Sequence, residues 1–217
     1  MSVDQRHPHK PIPGEGLAAG QSRRLIYFPI VHTPADMGAL QESVARATLE
    51  KAGRAGLARK TAAIDRMWTD IEAAIDALPL SFERLRLYQD GLPVCGREAE
   101  IVADLARSGS RNHQLLLRLM ARGAVLMGTE SGDLLVEEYH LARQSLAGQM
   151  PRAAGVAASR QASSQALLQR RDQFIAQRIN DTLKNGESGI LFLGMLHSLE
   201  QYLQPDVLVI YPLHQFR

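Results

Sequence analysis

A chain of 217 residues can bury one sizeable hydrophobic core but is short for two full domains. Its 25 basic and 23 acidic residues leave a formal charge of +2, and only 5% of the residues are aromatic, which argues against a dedicated nucleic-acid surface. A single cysteine, Cys95, excludes an intrachain disulfide and a CxxC metal site.

The sequence predicts neither a signal peptide nor a membrane span. The first 22 residues are rich in proline, glycine and polar residues and contain no apolar core. No apolar run elsewhere approaches the roughly 20 residues that a membrane span needs. We therefore expect a disordered tail over residues 1–22, a single domain over residues 23–217, no membrane association and a cytoplasmic location.

Strand and helix patterns alternate along the first half of the chain. RLIYFPIV, residues 24–31, is a short apolar run typical of a buried strand. Residues 35–78 carry apolar side chains at three- and four-residue steps, which predicts a long helix. RLRLYQDGLP, residues 84–93, predicts the second strand. Two short amphipathic helices follow over residues 96–109 and 111–123, and each ends on a glycine.

The alternation continues in the second half. AVLMGTES, residues 124–131, predicts a third strand, and residues 132–148 predict a helix. Residues 149–163 are mostly small and lack periodicity, so we interpret them as a mobile linker or lid. A strong helix is predicted over residues 164–186, before two last strands, GILFLGML and DVLVIYPL. This alternation predicts an α/β fold, a mostly parallel sheet of about five strands covered by helices on both faces.

An ionisable side chain follows each of the first four predicted strands: His32, Asp90, Glu130 and His197. Because parallel strands end at the same edge of a sheet, where such folds bind ligands, we expect the four to converge on one cleft. Two histidines and two carboxylates suit a divalent ion such as zinc, manganese, cobalt or iron, which acidifies its bound water. Without a metal, the same groups could act as general acid and base.

Structural explanations stand beside these functional ones. A histidine can simply pack at the end of a strand, Asp90-Gly91 is a good turn, and Glu130 suits the first turn of the next helix. Arg171, near the start of the last long helix, could hold a carboxylate or phosphate of a substrate, or lie on a solvated face. Cys95 could act as a nucleophile, although a buried and inert cysteine is the commoner case.

The last fifty residues carry a family resemblance. RDQFIAQRINDTLKNGESGILFLGMLHSLEQYL combines an arginine that opens a helix, a closing glycine and a strand ending in Gly-x-x-His, here Gly194 to His197. The first strand ends in PIVH, with Pro29 in place of the family's glycine and His32 at its end. The pattern is similar to that of the TraB/Tiki-like superfamily, which includes erythromycin esterase-like and haem-associated ChaN-like proteins.

The resemblance implies an α/β hydrolase pocket built from His32, Glu130, Arg171 and His197. Its Tiki branch implies divalent-metal-dependent peptide cleavage, and its esterase branch implies histidine-assisted hydrolysis of an ester. We therefore expect a hydrolase with a small-molecule or peptide substrate. Two alternatives stay open. One is a regulatory module that binds a small ligand or haem in the same cleft without turnover. The other is an assembly protein whose helices dock onto a partner or a second copy as a homo-oligomer.

Overall fold

The computed structural model describes residues 22–33, 41–146 and 154–213, so the expected tail over residues 1–22 lies almost wholly outside the described residues. Within these ranges the chain forms five strands and five α-helices. Their bounds are β1 Arg23–Ile30, α1 Gln41–Ala77, β2 Leu85–Gln89, α2 Glu98–Arg107, α3 Arg111–Ala121, β3 Val125–Met127, α4 Gly132–Leu146, α5 Ala154–Thr182, β4 Ser188–Gly194 and β5 Val207–Ile210. None of the helices in the described ranges has the length and apolarity needed to cross a membrane.

The five strands form one parallel sheet in the order β3-β2-β4-β1-β5. The predicted α/β fold is therefore confirmed. The strand β4 lies between β2 and β1, and its register with β1 runs from Arg24 opposite Ser188 to Ile30 opposite Gly194. Since all strands are parallel, their carboxyl ends share one edge of the sheet.

Two hydrophobic cores cover the two faces of the sheet because β1 and β4 alternate their side chains between them. On one face, helices α1, α2 and α3 pack against residues such as Phe28 and Phe192. On the other face, α5 packs Ile175, Ile179 and other apolar residues against Leu25 and its neighbours. The chain after β1 runs to the face that α1 covers, and the chain after β4 runs to the opposite face, where Leu199 packs. The β1–β4 border is therefore a topological switch point, where open α/β sheets bind ligands.

The structure differs from the sequence prediction in the middle of the chain. Residues 149–163 were expected to be a linker, but α5 already begins at Ala154, and residues 147–153 lie outside the described residues. The small residues that gave no amphipathic pattern are compatible with a helix, since alanine is the best helix former. The first long helix is confirmed over 41–77, with a break at Gly53, whose φ of 63° and ψ of 174° are not helical.

Candidate functional site

The carboxylate of Asp90 is the centre of a polar cluster at the carboxyl edge of the sheet. The main-chain N–H of Asp90 donates to Phe192 O at 2.9 Å, and Gly91 turns the chain with a φ of 74°. Oδ2 of Asp90 accepts hydrogen bonds at 2.8 Å from His32 Nε2 and from the N–H of Gly194. The Asp90 side chain is only 4% exposed, so the protein supplies its solvation.

His197 is held by a second carboxylate, that of Asp172 on α5. The Nδ1 atom of His197 lies 2.5 Å from Asp172 Oδ1, and Asp172 Oδ2 accepts from the N–H of Ser198 at 3.0 Å. Because a carboxylate accepts, this contact places the proton of neutral His197 on Nδ1 and the lone pair on Nε2. That Nε2 atom lies 3.6 Å from Asp90 Oδ2, in a side chain that is 4% exposed.

Arg171 binds three carboxylates on three elements. It donates from Nε and Nη2 to both oxygens of Glu130, at 2.8 and 2.5 Å, and from Nη2 to Asp90 Oδ1 at 2.8 Å. Its Nη1 donates to Glu138 Oε1 at 2.5 Å. Glu130 is fully buried and also accepts from the N–H of Gly91 at 3.0 Å. The guanidinium thus joins α5 and α4 to the ends of β2 and β3.

Gly194 lets these groups come together. A Cβ atom added there would lie 3.0 Å from Asp90 Oδ2, 3.5 Å from His32 Nε2 and 3.6 Å from His197 Cδ2. The contact with the carboxylate oxygen would be too tight without a shift of Asp90. The backbone of β4 therefore forms one wall of the cluster, at the point where the two histidines and Asp90 meet.

The charges in the cluster do not balance. Three carboxylates, on Asp90, Glu130 and Glu138, pair with the guanidinium of Arg171, and a fourth, on Asp172, pairs with His197. Burial alone would raise the pKa of Asp90, but the hydrogen bond from His32 and the electrostatic interactions with the two histidines and with Arg171 hold this pKa well below its usual range.

The pKa of Glu130 is raised by its burial and by the nearby Asp90 charge, although Arg171 opposes both. The pKa of Arg171 is raised because its bonds to these carboxylates outweigh its burial. Asp90 therefore stays ionised, while Glu130 is the neighbour that takes up a proton more readily.

All five site residues expected from the sequence, His32, Asp90, Glu130, Arg171 and His197, lie in this cluster. The sequence reasoning did not place Asp172 or Glu138 in the site. A signal for Asp172 was present: it precedes Ile175, Ala176 and Ile179 by three, four and seven residues, which is the buried face of α5. A charged residue on an apolar helix face requires a buried partner, and here that partner is His197.

The expected metal ligands fit a metal ion only in part. His32 Nε2, Asp90 Oδ2 and His197 Nε2 are donor types that suit a first-row divalent ion, and they face one another. Glu130 does not fit, because both of its oxygens accept hydrogen bonds from Arg171. Across residues 22–33, 41–146 and 154–213, no three His, Cys, Asp or Glu side chains are arranged as a metal-binding group. Cys95 is exposed in the loop after β2, so the expectation that it is buried is wrong.

Comparisons with family models, curated proteins and solved structures give no match to this chain. The resemblance to the TraB/Tiki-like superfamily therefore stays a prediction based on the Gly-x-x-His and arginine motifs.

Proposed function

We propose that the chain is a hydrolase of ester or peptide bonds and that His197 is its general base. The observation that carries the proposal is the contact of His197 Nδ1 with the buried carboxylate of Asp172, at 2.5 Å. A carboxylate in this position fixes the orientation of the ring and stabilises the imidazolium that forms when Nε2 takes a proton.

The carboxylate of Asp90 lies next to the nitrogen of His197 that would accept the proton. Nε2 of His197 lies 3.6 Å from Asp90 Oδ2, so the imidazolium formed by abstracting a proton from water is further stabilised by the Asp90 charge. The low pKa of Asp90 keeps that charge present at neutral pH. Asp90 is therefore the electrostatic partner of the base rather than the base itself.

His32 lies at the opening of the cluster. Its side chain is 33% exposed, compared with 4% for His197, and it donates through Nε2 to Asp90. We assign His32 to the contact with substrate, where its imidazolium form, protonated on both ring nitrogens, can supply the proton that does not bind Asp90 to the leaving group as general acid. The two histidines then have different tasks because one is buried and the other is accessible.

Arg171 has a positioning role in this proposal. A clamp for a substrate anion was expected from the sequence, but the guanidinium is 5% exposed and already donates to three carboxylates. The four carboxylates of the cluster would also repel an anionic group. We therefore assign Arg171 to holding Asp90 and Glu130 in place, and a neutral acyl group to the substrate.

A divalent metal ion, which the Tiki branch of the resemblance implies, would be held by His32, Asp90 and His197 and would supply an acidified water molecule. Its binding requires the hydrogen bond between His32 and Asp90 to break. The proposed steps need only the protons of the two histidines. We expect activity to survive chelation of the purified protein.

The test compares His197→Gln with His140→Gln in assays on neutral aryl esters and peptide amides. His140 is an exposed histidine on α4 and serves as the matched control. We expect His197→Gln to lower kcat/KM by about 10³-fold, which is within the usual range for loss of a general base. We expect His140→Gln to match the wild type, and thermal unfolding would show that both variants fold.

Two results would contradict the proposal. One is hydrolysis that is equal in the His197→Gln and wild-type proteins. The other is thermal stabilisation of the wild type by a small ligand, or a haem absorbance band, with no turnover of any substrate; this is the behaviour of a binding module. Metal analysis of both proteins, before and after chelation, distinguishes a metal-dependent reaction from the metal-independent reaction that we propose.

A further inference from the structure

Tyr27 of β1 is a buried tyrosine whose hydroxyl has no partner among the described residues. The residue is 7% exposed, and its ring packs against that of Tyr211 with 5.1 Å between the centroids. Tyr211 donates its own hydroxyl to Glu200. The other tyrosine buried in the sheet, Tyr88, bonds its hydroxyl to Thr182 Oγ1 at 2.9 Å. No such bond is found for the Tyr27 hydroxyl within the described ranges.

Water reaches the Tyr27 hydroxyl. In the part of the chain that the structure describes, Asn112 Oδ1 is the one side-chain polar atom that is fully enclosed and has no partner. The Tyr27 oxygen also has no partner, so it is not fully enclosed. A buried ring with an accessible oxygen places this hydroxyl at the wall of a cleft, where a ligand can accept its hydrogen bond.

Tyr27 and His197 lie on the same face of the sheet, the one that α5 covers. Tyr27 belongs to the apolar cluster of that face, together with Ile175 of α5 and Leu199. Asp172 comes from the same helix one turn earlier, and His197 pairs with it. His197 also precedes Leu199 by two residues, so the base and the phenol are both enclosed between β1, β4 and α5.

The charges that act on the phenol are those of the candidate site. Burial raises the pKa of Tyr27, and the negative charges of Asp90, Asp172 and Glu200 raise it further. Asp172 pairs with Nδ1 of His197, and Asp90 Oδ2 lies 3.6 Å from Nε2 of the same ring. The phenol therefore interacts with the carboxylates on both sides of the base. It stays protonated at neutral pH and keeps a hydrogen to donate.

We propose that the Tyr27 hydroxyl binds the carbonyl oxygen of the substrate, and that the substrate is a carboxylic ester or amide. This inference rests on the proposed function. Water attacks the carbonyl carbon while His197 Nε2 takes its proton, and the C=O π electrons move onto the oxygen, which accepts a hydrogen bond from Tyr27. Tyr27 keeps its proton throughout. When the C=O bond re-forms, the bond to the alcohol or amine breaks, and the leaving group takes a proton from a histidine.

Charge favours a carboxylic acyl group over a phosphate ester as substrate. A phosphate ester brings its negative charge in the ground state, next to the carboxylates of Asp90, Asp172 and Glu200, and a neutral phenol does not offset that repulsion. A carboxylic ester or amide is neutral when it binds and develops charge on one oxygen only in the transition state. A donor that is already fixed by its buried ring needs no reorganisation when this charge forms.

The test compares Tyr27→Phe with Tyr88→Phe, since each change removes a hydroxyl and keeps a buried ring. We expect kcat of Tyr27→Phe on a neutral ester to be about 10²-fold below that of the wild type, with KM little changed, because the charge develops only in the transition state. Its Tm should equal that of the wild type, because no protein group loses a partner. Tyr88→Phe should show the reverse, an unchanged kcat and a lower Tm, because it loses the bond to Thr182.

A second measurement tests contact with the carbonyl oxygen itself. Sulfur is a weak hydrogen-bond acceptor, so we expect the wild type to hydrolyse a thionoester about tenfold or more slowly than the matched ester, and Tyr27→Phe to show a smaller ratio. Equal kcat in Tyr27→Phe and wild type, an equal ratio in both proteins, or a Tyr27→Phe protein that does not fold would overturn this role of Tyr27 and leave that of His197 intact. A wild type without hydrolase activity would overturn both proposals.

Discussion

The two edges of the sheet use arginine in different ways. At the amino edge, Arg23 pairs with one carboxylate, that of Asp206, and also donates to two main-chain oxygens at the end of α5. Arg86 at the same edge pairs with Glu187 alone. At the carboxyl edge, Arg171 is shared by three carboxylates.

The difference separates an edge whose charges are paired one to one from the edge that carries the candidate site. One arginine with one carboxylate is neutral and leaves no charge to be compensated. At the carboxyl edge the carboxylates outnumber the arginine that pairs with them. The two histidines contact two of these carboxylates, those of Asp90 and Asp172. Buried charge without full compensation is costly, and clusters of this kind are concentrated at functional sites.

The largest effect on stability is expected from Asp90→Asn. This change removes the carboxylate that Arg171 and His32 share, so we expect the free energy of unfolding to fall by about 3 kcal/mol at pH 7. The pKa of Asp90 is lower in the folded protein than its ordinary value of 3.8. Its contribution is therefore complete above about pH 5 and declines as the pH falls through the lowered value.

Denaturant unfolding of both proteins at several pH values measures this dependence. The difference between wild type and Asp90→Asn should be smaller at about pH 3 than at pH 7. A constant difference over that range would show that Asp90 is not the charged group of the cluster.

A smaller effect is expected from Arg23→Met at the other edge. The side chain of Arg23 is 5% exposed, and its loss leaves the carbonyl groups of Asn180 and Leu183 without their donor. We expect a loss of about 2 kcal/mol in the free energy of unfolding, with kcat/KM per folded molecule unchanged. The matched variant Arg171→Met should lower both quantities. If both arginine variants had the same effect on kcat/KM, the distinction between the edges would be wrong.

The smallest effect is expected from Glu187→Gln. The side chains of Glu187 and Arg86 are 13% and 25% exposed, more than the 4% and 5% of Asp90 and Arg171, so solvent compensates a larger part of the lost interaction. We expect a destabilisation of about 1 kcal/mol or less, measured by denaturant unfolding, and it should decrease further in high salt. A loss as large as that of Asp90→Asn would mean that the amino edge also stores uncompensated charge.

The sequence was sufficient to predict which residues meet, because the rule that connects them is geometric. Once the strands are parallel, the residues after β1, β2, β3 and β4 must lie at one edge, and His32, Asp90 and His197 do so. The order of the strands did not follow from the sequence. Apolar periodicity shows that a strand is buried on both faces but does not show its neighbours, so the position of β4 between β2 and β1 was not predicted.

The sequence also did not predict which charged residues pair with one another. Arg171 was expected to face a substrate, and its three carboxylate partners come from segments 33 to 81 residues away. Asp172 was passed over because its neighbours in sequence are polar, while its neighbours on the helix face are apolar. Pairing between distant charges depends on the tertiary packing of α4 and α5, which local propensity does not encode.

The central place of β4 has a consequence for how the protein folds. The two strands that border β4 end by residue 89, whereas β4 itself begins at residue 188. The middle of the sheet is therefore open until a segment about a hundred positions later along the chain inserts into it. Such long-range pairing slows folding. Since Gly194 and His197 belong to that same segment, the step that completes the hydrogen-bonded core also completes the candidate site.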